Sequence, residues 1–442
     1  MLISLLFLFI VLSCGSSSPG AQNDLPAGFI PPDDPGLAVF RTAVFTVDWQ
    51  LITRDQIDWE TAAHVPSIQV TYDENDRITE TVGLWMGRPS DNVIVARYSP
   101  MLRINYEEGV ETITFHWSDG EPCGEFGFWG FRITRSDDGN ISVMEFLAED
   151  GSILVDRSGI AYRQIEYSGD GWYLETTHDE TGAQVPIMGS DVYAIRQQLN
   201  SQMNQIATES TDSLGELISV FGEVYRIERD FDASGHLIEV KRYGSDGQNI
   251  EGPGNPAWET YEVSPSGLTT GFALLAPDGS PSVNQYGVHS NVIEYDQYGR
   301  MVFTAGYGTS GDPVTVGGVW ANTIEYDDDN LQTTAQTLDQ NRELVNLNGF
   351  STVVTEKDSV GNTITISFYD CSGEPARDAI EVHRYRFIYT SHCKLLERQV
   401  WDSSNEPDTS SMGFHSERNL FDDKGTFLRT EYHDTDGQLL NY

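Results

Sequence analysis

Residues Gly287–Gly317, GVHSNVIEYDQYGRMVFTAGYGTSGDPVTVG, decide the fold, because the chain repeats this stretch with variation every 31 or 32 residues. Its skeleton is Gly-Val-His, then a Tyr-Asp-x-x-Gly turn, a second glycine twelve residues later, and x-Pro-Val. The first-turn position recurs at Asp76, near Glu108, and at Gly139, Gly171, Met203, Gly235, Gly267, Gly299, Asn330, Gly361, Cys393 and Gly425. The second-turn position follows at Gly120, Gly151, Gly182, Gly215, Gly247, Gly279, Gly311, Asn341, Gly373, Asn405 and Gly437. A third anchor, nine residues before the turn aspartate, is glycine at Gly127, Gly159, Gly287, Gly318, Gly349 and Gly413. Three phases held from Tyr72 to Tyr442 define a tandem array of eleven or twelve units.

Each anchor has a physical task. An aspartate opening a turn bonds its own backbone two residues on, and Gly or Asn supplies the positive φ that the turn needs. Between the turns lie runs such as Val292–Tyr295, Met301–Ala305 and Thr363–Phe368, rich in Val, Ile, Thr, Tyr and Phe and roughly alternating. That is the pattern of half-buried strands. The unit is too short for a four-stranded propeller blade, which takes roughly 40–50 residues. The expected fold is all-β: tandem antiparallel hairpin repeats of 31 or 32 residues forming an elongated or spirally wound, solenoid-like sheet. The unit around 200–228 is degenerate, and its stretch 200–215, NSQMNQIATESTDSLG, is expected to be a short polar helix or a bulging loop.

Twenty-six basic residues against 68 acidic ones give a net charge of −42, which excludes nucleic acid as a natural partner. Lysine occurs only at Lys241, Lys357, Lys394 and Lys424. The first residues, MLISLLFLFIVLSCGSSSPG, form an apolar run that ends in small residues, as a signal peptide does. Val11-Leu12-Ser13-Cys14 resembles a bacterial lipoprotein box. The resemblance implies removal of residues 1–13 and diacylglyceryl attachment to Cys14, with Gly15 directing the protein to the outer membrane or cell surface. Without the lipid, a plain secreted form remains the other expectation. Acyl chains at Cys14 would hold the protein on a bilayer. Residues 14–37 read as a flexible tether, 38–71 as an N-terminal β cap over the array's open edge, and 72–442 as the array.

Candidate chemistry is sparse. No HExxH, GxSxG or GxxxxGK motif occurs, and no catalytic residue is assigned. Seven residues before the turn aspartate a bulky side chain recurs at Trp129, Tyr193, Tyr225, His289, Trp320, His383 and His415, with Ala161, Ala257 and Ser351 in the same phase. This row is either an aromatic stripe facing a glycan or peptide, or an interior ladder; its locked glycine and apolar flanks favour the ladder. Asp-rich turns (Asp327-Asp328-Asp329, Asp137-Asp138, Asp434 with Asp436) could collect calcium, but no copy has an EF-hand loop and turn chemistry already accounts for them. No metal ligand is assigned. Cys371 and Cys393 fall at opposite ends of a strand, about 20 Å apart at ~3.3 Å per residue, too far for a disulfide.

Glu294–Arg300, EYDQYGR, with weaker copies at 326–330, 357–362 and 421–425, resembles the tyrosine-aspartate (YD, or Rhs-type) repeats of bacterial surface and secreted proteins. The resemblance covers Tyr72 to Tyr442. It implies a β-ribbon wound into a spiral or shell that serves as scaffold or container. This unit is longer, so a toxin-delivery role is not carried over. The functional expectation is a non-catalytic, envelope-anchored repeat lipoprotein that binds protein or glycan. The alternatives are an envelope enzyme acting on glycan with its site in 200–215, and a calcium-stabilised structural repeat.

Overall fold

Asp296 closes the hairpin between strands Ser290–Tyr295 and Met301–Tyr307, its Oδ1 accepting the amides of Tyr298 and Arg300 at 2.9 Å each. The Gly299 amide donates to the Asp296 carbonyl, and Gly299 takes φ +79°. The ladder then shifts register between Glu294 and Tyr295. This is a type I turn closed by a left-handed residue and a bulge, a standard hairpin solution. At the second turn the Gly311 amide donates to the Gly308 carbonyl, and the Val314 amide returns to the Gly306 carbonyl at 3.0 Å. The chain then enters strand Ala321–Tyr326, which pairs back through Ala305↔Ala321.

Repeated along the chain, this geometry gives, among the described residues, one sheet of 30 strands in which every pairing is antiparallel. The computed structural model describes residues 37–442 except 125–126, 157, 188–189, 220–221, 252–255, 328, 423–426 and 441–442. The expected leader, Cys14 and the expected tether up to residue 36 lie outside the described residues, as do Asp328 and Gly425. Among the described residues no helix is long and apolar enough to cross a membrane.

The turn rows keep their conformation where the residue type changes. Asp76, Met203, Asn330 and Cys393 take φ of 60°, 63°, 53° and 56° at the first-turn position. Two positions move by one residue: Gly109 rather than Glu108 is left-handed, and Arg342 rather than Asn341 (φ +71° and +66°). The unit at 200–215 overturns the helix-or-loop expectation. Strands Ala194–Leu199 and Gln205–Thr211 form a full hairpin. Asn200 replaces the turn aspartate, its Oδ1 accepting the amides of Gln202 and Asn204 at 2.9 and 3.0 Å. A side-chain amide oxygen does this as well as a carboxylate, so the copy has diverged in sequence without losing its structure.

At the N-terminus, β1 (Leu37–Phe45) pairs with β2 (Leu51–Ile57) and with β3 (Ser67–Tyr72). A single helical turn, α1 (Trp59–Ala62), capped by Asp58, joins β2 to β3. β3 pairs with β4 (Ile78–Trp85) through the Asp73–Asp76 turn, so the repeating hairpins begin at Ser67. The β1–β2 hairpin carries Ala43 and Trp49 into the largest apolar cluster, with Val70, Leu102, Ile113, Phe115, Phe131 and Met144.

The ribbon curves back on itself. Neighbouring strands are each rotated slightly, and over many hairpins such rotations accumulate. Residues some 270 positions apart therefore meet. The Ser90 hydroxyl donates to the Val360 carbonyl at 2.6 Å, and Asn92 Nδ2 donates to Val360 O and Asn362 Oδ1 at 3.0 and 2.9 Å. Asn330 Nδ2 reaches the His64 carbonyl, the Arg41 guanidinium reaches the Tyr298 carbonyl, and His392 contacts Asp119. Rings stack across the same line: His64 on Tyr298 at 3.8 Å and Trp117 on His392 at 4.7 Å. Every late partner belongs to a first turn. The first-turn edge of the later units thus docks on the early chain and forms a seam.

Candidate functional site

The row of bulky side chains begins each unit's first strand. The backbone amides of Trp129, Tyr193, Tyr225, His289, Trp320 and His415 donate to the carbonyls of Leu147, Thr211, Tyr243, Tyr307, Leu338 and His433, closing successive hairpins. In the three histidines Nδ1 lies 2.9, 2.9 and 3.0 Å from the carbonyl oxygens of Ser282, Ala376 and Asp408, seven residues earlier. A carbonyl oxygen only accepts, so Nδ1 carries the proton in each neutral ring. The rings meet the aromatic residue that ends the preceding second strand: Trp320 on Tyr307, His383 on Tyr369 and His415 on Trp401. Among the described residues no ring of the row touches another ring of the row. Trp320, His383 and His415 are buried, while Trp129, Tyr193, Tyr225 and His289 are half-buried. The structure therefore distributes these residues unit by unit and gathers them into no common site.

Shallow grooves open on the ribbon among the described residues. One, of about 530 Å³, is lined by Glu166, Tyr167, Trp172, Arg196, Asp212 and neighbours, and so borders the 200–215 unit. Arg196 and Arg226 lie over the Trp172 ring at 4.9 and 5.6 Å, and both pair with the buried Glu209 at 2.8 and 3.0 Å. Asp212 accepts the turn amides of Leu214 and Glu216. The groove's aromatic face and its turn carboxylate are already engaged within the chain. Another groove, of about 510 Å³, lies between Asp296, Arg300 and Tyr326. Arg300 pairs with Asp296 at 2.6 Å and covers Tyr326, whose phenol burial pushes up to about 12.

Turn carboxylates are similarly occupied, with Asp156, Asp179, Asp339, Asp370 and Asp402 each accepting two backbone amides. Among the described residues no three His, Cys, Asp or Glu side chains gather as a metal site. Cys371 is exposed beside Leu344 and Asn346, Cys393 is a left-handed first-turn residue, and Cys123 is buried.

The seam holds a titratable group bound on both sides. His236 Nε2 lies 2.9 Å from Asp55 and Nδ1 lies 3.0 Å from Asp232, while Arg54 donates to the adjacent Gly235 carbonyl. Burial alone would lower the imidazole's pKa, but its hydrogen bonds to the two carboxylates outweigh burial and raise it above 6.5. A raised folded-state pKa stabilises fully below the unfolded value of 6.5, and the contribution is lost as pH climbs through the folded value. Hydrogen exchange of Leu51–Ile57, corrected for intrinsic rate, is expected to be slower at about pH 6 than at about pH 8.5. Equal protection at both would contradict this role. The early side of the seam, at Asp55, His64, Ser90 and Asn92, carries no repeat anchor, while the late side uses ordinary first-turn residues, so the sequence does not mark the contact.

Comparison with protein-family models and with curated proteins returns no match. Among solved structures, the chain is similar to chains of the TcdB2-TccC3-TEV and TcdB2-TccC3-Cdc42 crystal structures, at 11% and 10% identity and a TM-score of 0.35. The alignments cover 91% and 92% of this chain and 24% of theirs. A Photorhabdus luminescens Tc holotoxin pore aligns at 12% identity and a TM-score of 0.33, over 90% of this chain and 21% of that one. The chain spans about a quarter of the length of the first two.

Proposed function

We propose that this protein is a non-catalytic repeat scaffold held at the bacterial envelope by a lipid on Cys14, where it binds a protein or glycan partner. The observation that carries this reading is the wound ribbon itself. Its turn aspartates and the Nδ1 atoms of His289, His383 and His415 bond the chain's own backbone, and its seam is closed by bonds within the chain, which favours a pre-organised support over a reaction site. The lipoprotein-like Val11–Cys14 stretch, the Ser- and Pro-rich tether and the YD-like anchors support the same reading. The outer membrane or cell surface is the proposed address.

The test is expression with the chain's own leader, followed by intact mass and detergent partitioning. The expected result is a chain beginning at Cys14 with added acyl mass, found in the detergent phase. An unmodified chain still beginning at Met1 in the aqueous phase would remove the anchor from the account.

A further inference from the structure

Arg384 and Arg386 lie on one face of strand Arg384–Tyr389, and their guanidinium groups converge on a single neutral oxygen. Arg384 Nη1 donates to Asn405 Oδ1 at 2.9 Å, and Arg386 Nη2 donates to the same atom. Arg384 Nε also donates to the Ser367 hydroxyl at 2.8 Å. The Arg386 guanidinium lies over the Trp401 ring at 3.9 Å, and that indole is held by Gln399. Both cations are thus fixed in place by neutral groups.

Their neighbours behave differently. Arg377 pairs with Asp408, Arg398 with Glu417, Arg418 with Glu397 and Arg429 with Glu431. Among the described residues neither Arg384 nor Arg386 has a carboxylate partner. In a chain with 68 acidic residues, two like charges brought onto one amide oxygen is an arrangement that costs energy unless an anion completes it. A guanidinium offers five N–H donors in a planar fork suited to oxyanions, and the bonds described use few of them.

We propose that Arg384 and Arg386 form an oxyanion-binding site for a carboxylate, phosphate or sulfate group, in which Asn405 Oδ1 holds the place of a ligand oxygen. Asn405 suits that part: it is an exposed second-turn residue at φ +68°, with a neutral oxygen that a charged one displaces. The site rests on the binding-scaffold reading only in its use, since it names the chemistry of the group that the scaffold would take.

The experiment is isothermal titration of the purified full-length chain with sodium sulfate, phosphate or acetate, against sodium chloride at matched ionic strength. Saturable binding of at least one oxyanion is expected, and the order of the three identifies the preferred group. Arg384→Gln with Arg386→Gln is expected to weaken it by about tenfold or more. Arg386→Lys keeps the charge but loses the fork and falls between. Asn405→Asp supplies the anion within the chain and abolishes binding, whereas Asn405→Gly frees both guanidiniums and strengthens it. The Asn405 variants also read the site if the double arginine variant fails to fold. No saturable heat with any of the three anions, or unchanged binding in Asn405→Asp, would overturn the assignment. Detergent partitioning is unaffected by these changes, so the anchor and the site succeed or fail separately.

Discussion

Phe131→Ala is expected to cost about 3–5 kcal/mol, the range for removing a buried aromatic ring from a well-packed core. Phe131 is fully buried, on strand Gly130–Arg135. Its ring meets Tyr98 at 4.9 Å, Trp49 at 5.0 Å and Phe115 at 5.1 Å, in edge-on contacts that aromatic pairs favour. Trp49 lies between β1 and β2, whereas Tyr98 and Phe115 belong to the early repeats. The ring therefore joins the N-terminal hairpin to the array, and its loss leaves a cavity at that junction. Thermal unfolding and hydrogen exchange are the measurements. The largest loss of protection is expected in Leu37–Ile57, because an array opens in local units rather than all at once. Phe427→Ala, whose side chain is 54% exposed, is expected to stay within about 0.5 kcal/mol. If the two substitutions cost the same, the core is misplaced.

Gly361→Ala is expected to open the seam. Gly361 takes φ +92°, and a Cβ there would sit 2.6 Å from Cδ2 of Trp85. The backbone strain alone costs about 1–3 kcal/mol for a residue with a side chain. The steric demand then pushes Trp85 away, and with it the Lys357 ammonium that lies 4.4 Å from the same ring. Gly139→Ala is the control. It occupies the same turn position at φ +80°, with nothing within 4 Å of its added Cβ. The excess of the first loss over the second measures the seam contact free of the turn. Faster exchange at the Ser90–Asn92 and Val360–Asn362 amides is expected only for Gly361→Ala.

How much of this was legible in the sequence follows from what each residue must do. Turn chemistry is local, so Asp296 and Gly299 announced their hairpin, and copies in step with them were found even where Met203 or Cys393 holds the turn. Arg342 is one residue from the expected Asn341 because an arginine there holds the left-handed position, three after Asp339, that glycine holds in other units. The 200–215 hairpin was misread because Asn200 performs the aspartate's task and the strand Gln205–Thr211 carries few large apolar residues to mark it. The seam was illegible for a different reason. Ser90 and Asn92 have no phase in the repeat, His236 and Asn330 sit in first turns that nothing local sets apart, and their partners lie 181 to 270 residues away. No single residue encodes the winding that brings them together; it accumulates over many hairpins. The pair Arg384 and Arg386 was equally silent, since what distinguishes it is the absence of carboxylates across neighbouring strands.

The most direct test of the wound ribbon is the distance between spin labels at Asn92 and Asn362, each changed to cysteine in a chain whose Cys123, Cys371 and Cys393 are replaced. A straight ribbon, at about 4.8 Å per strand and two long strands per repeat, would hold these positions roughly 80 Å apart. The seam places their side chains in hydrogen-bond contact at 2.9 Å. A wound ribbon gives a narrow, short label-to-label distance when Gly361 is kept and a broadened, longer one with Gly361→Ala. A long distance when Gly361 is kept would contradict the winding, and with it the seam and the scaffold built on it.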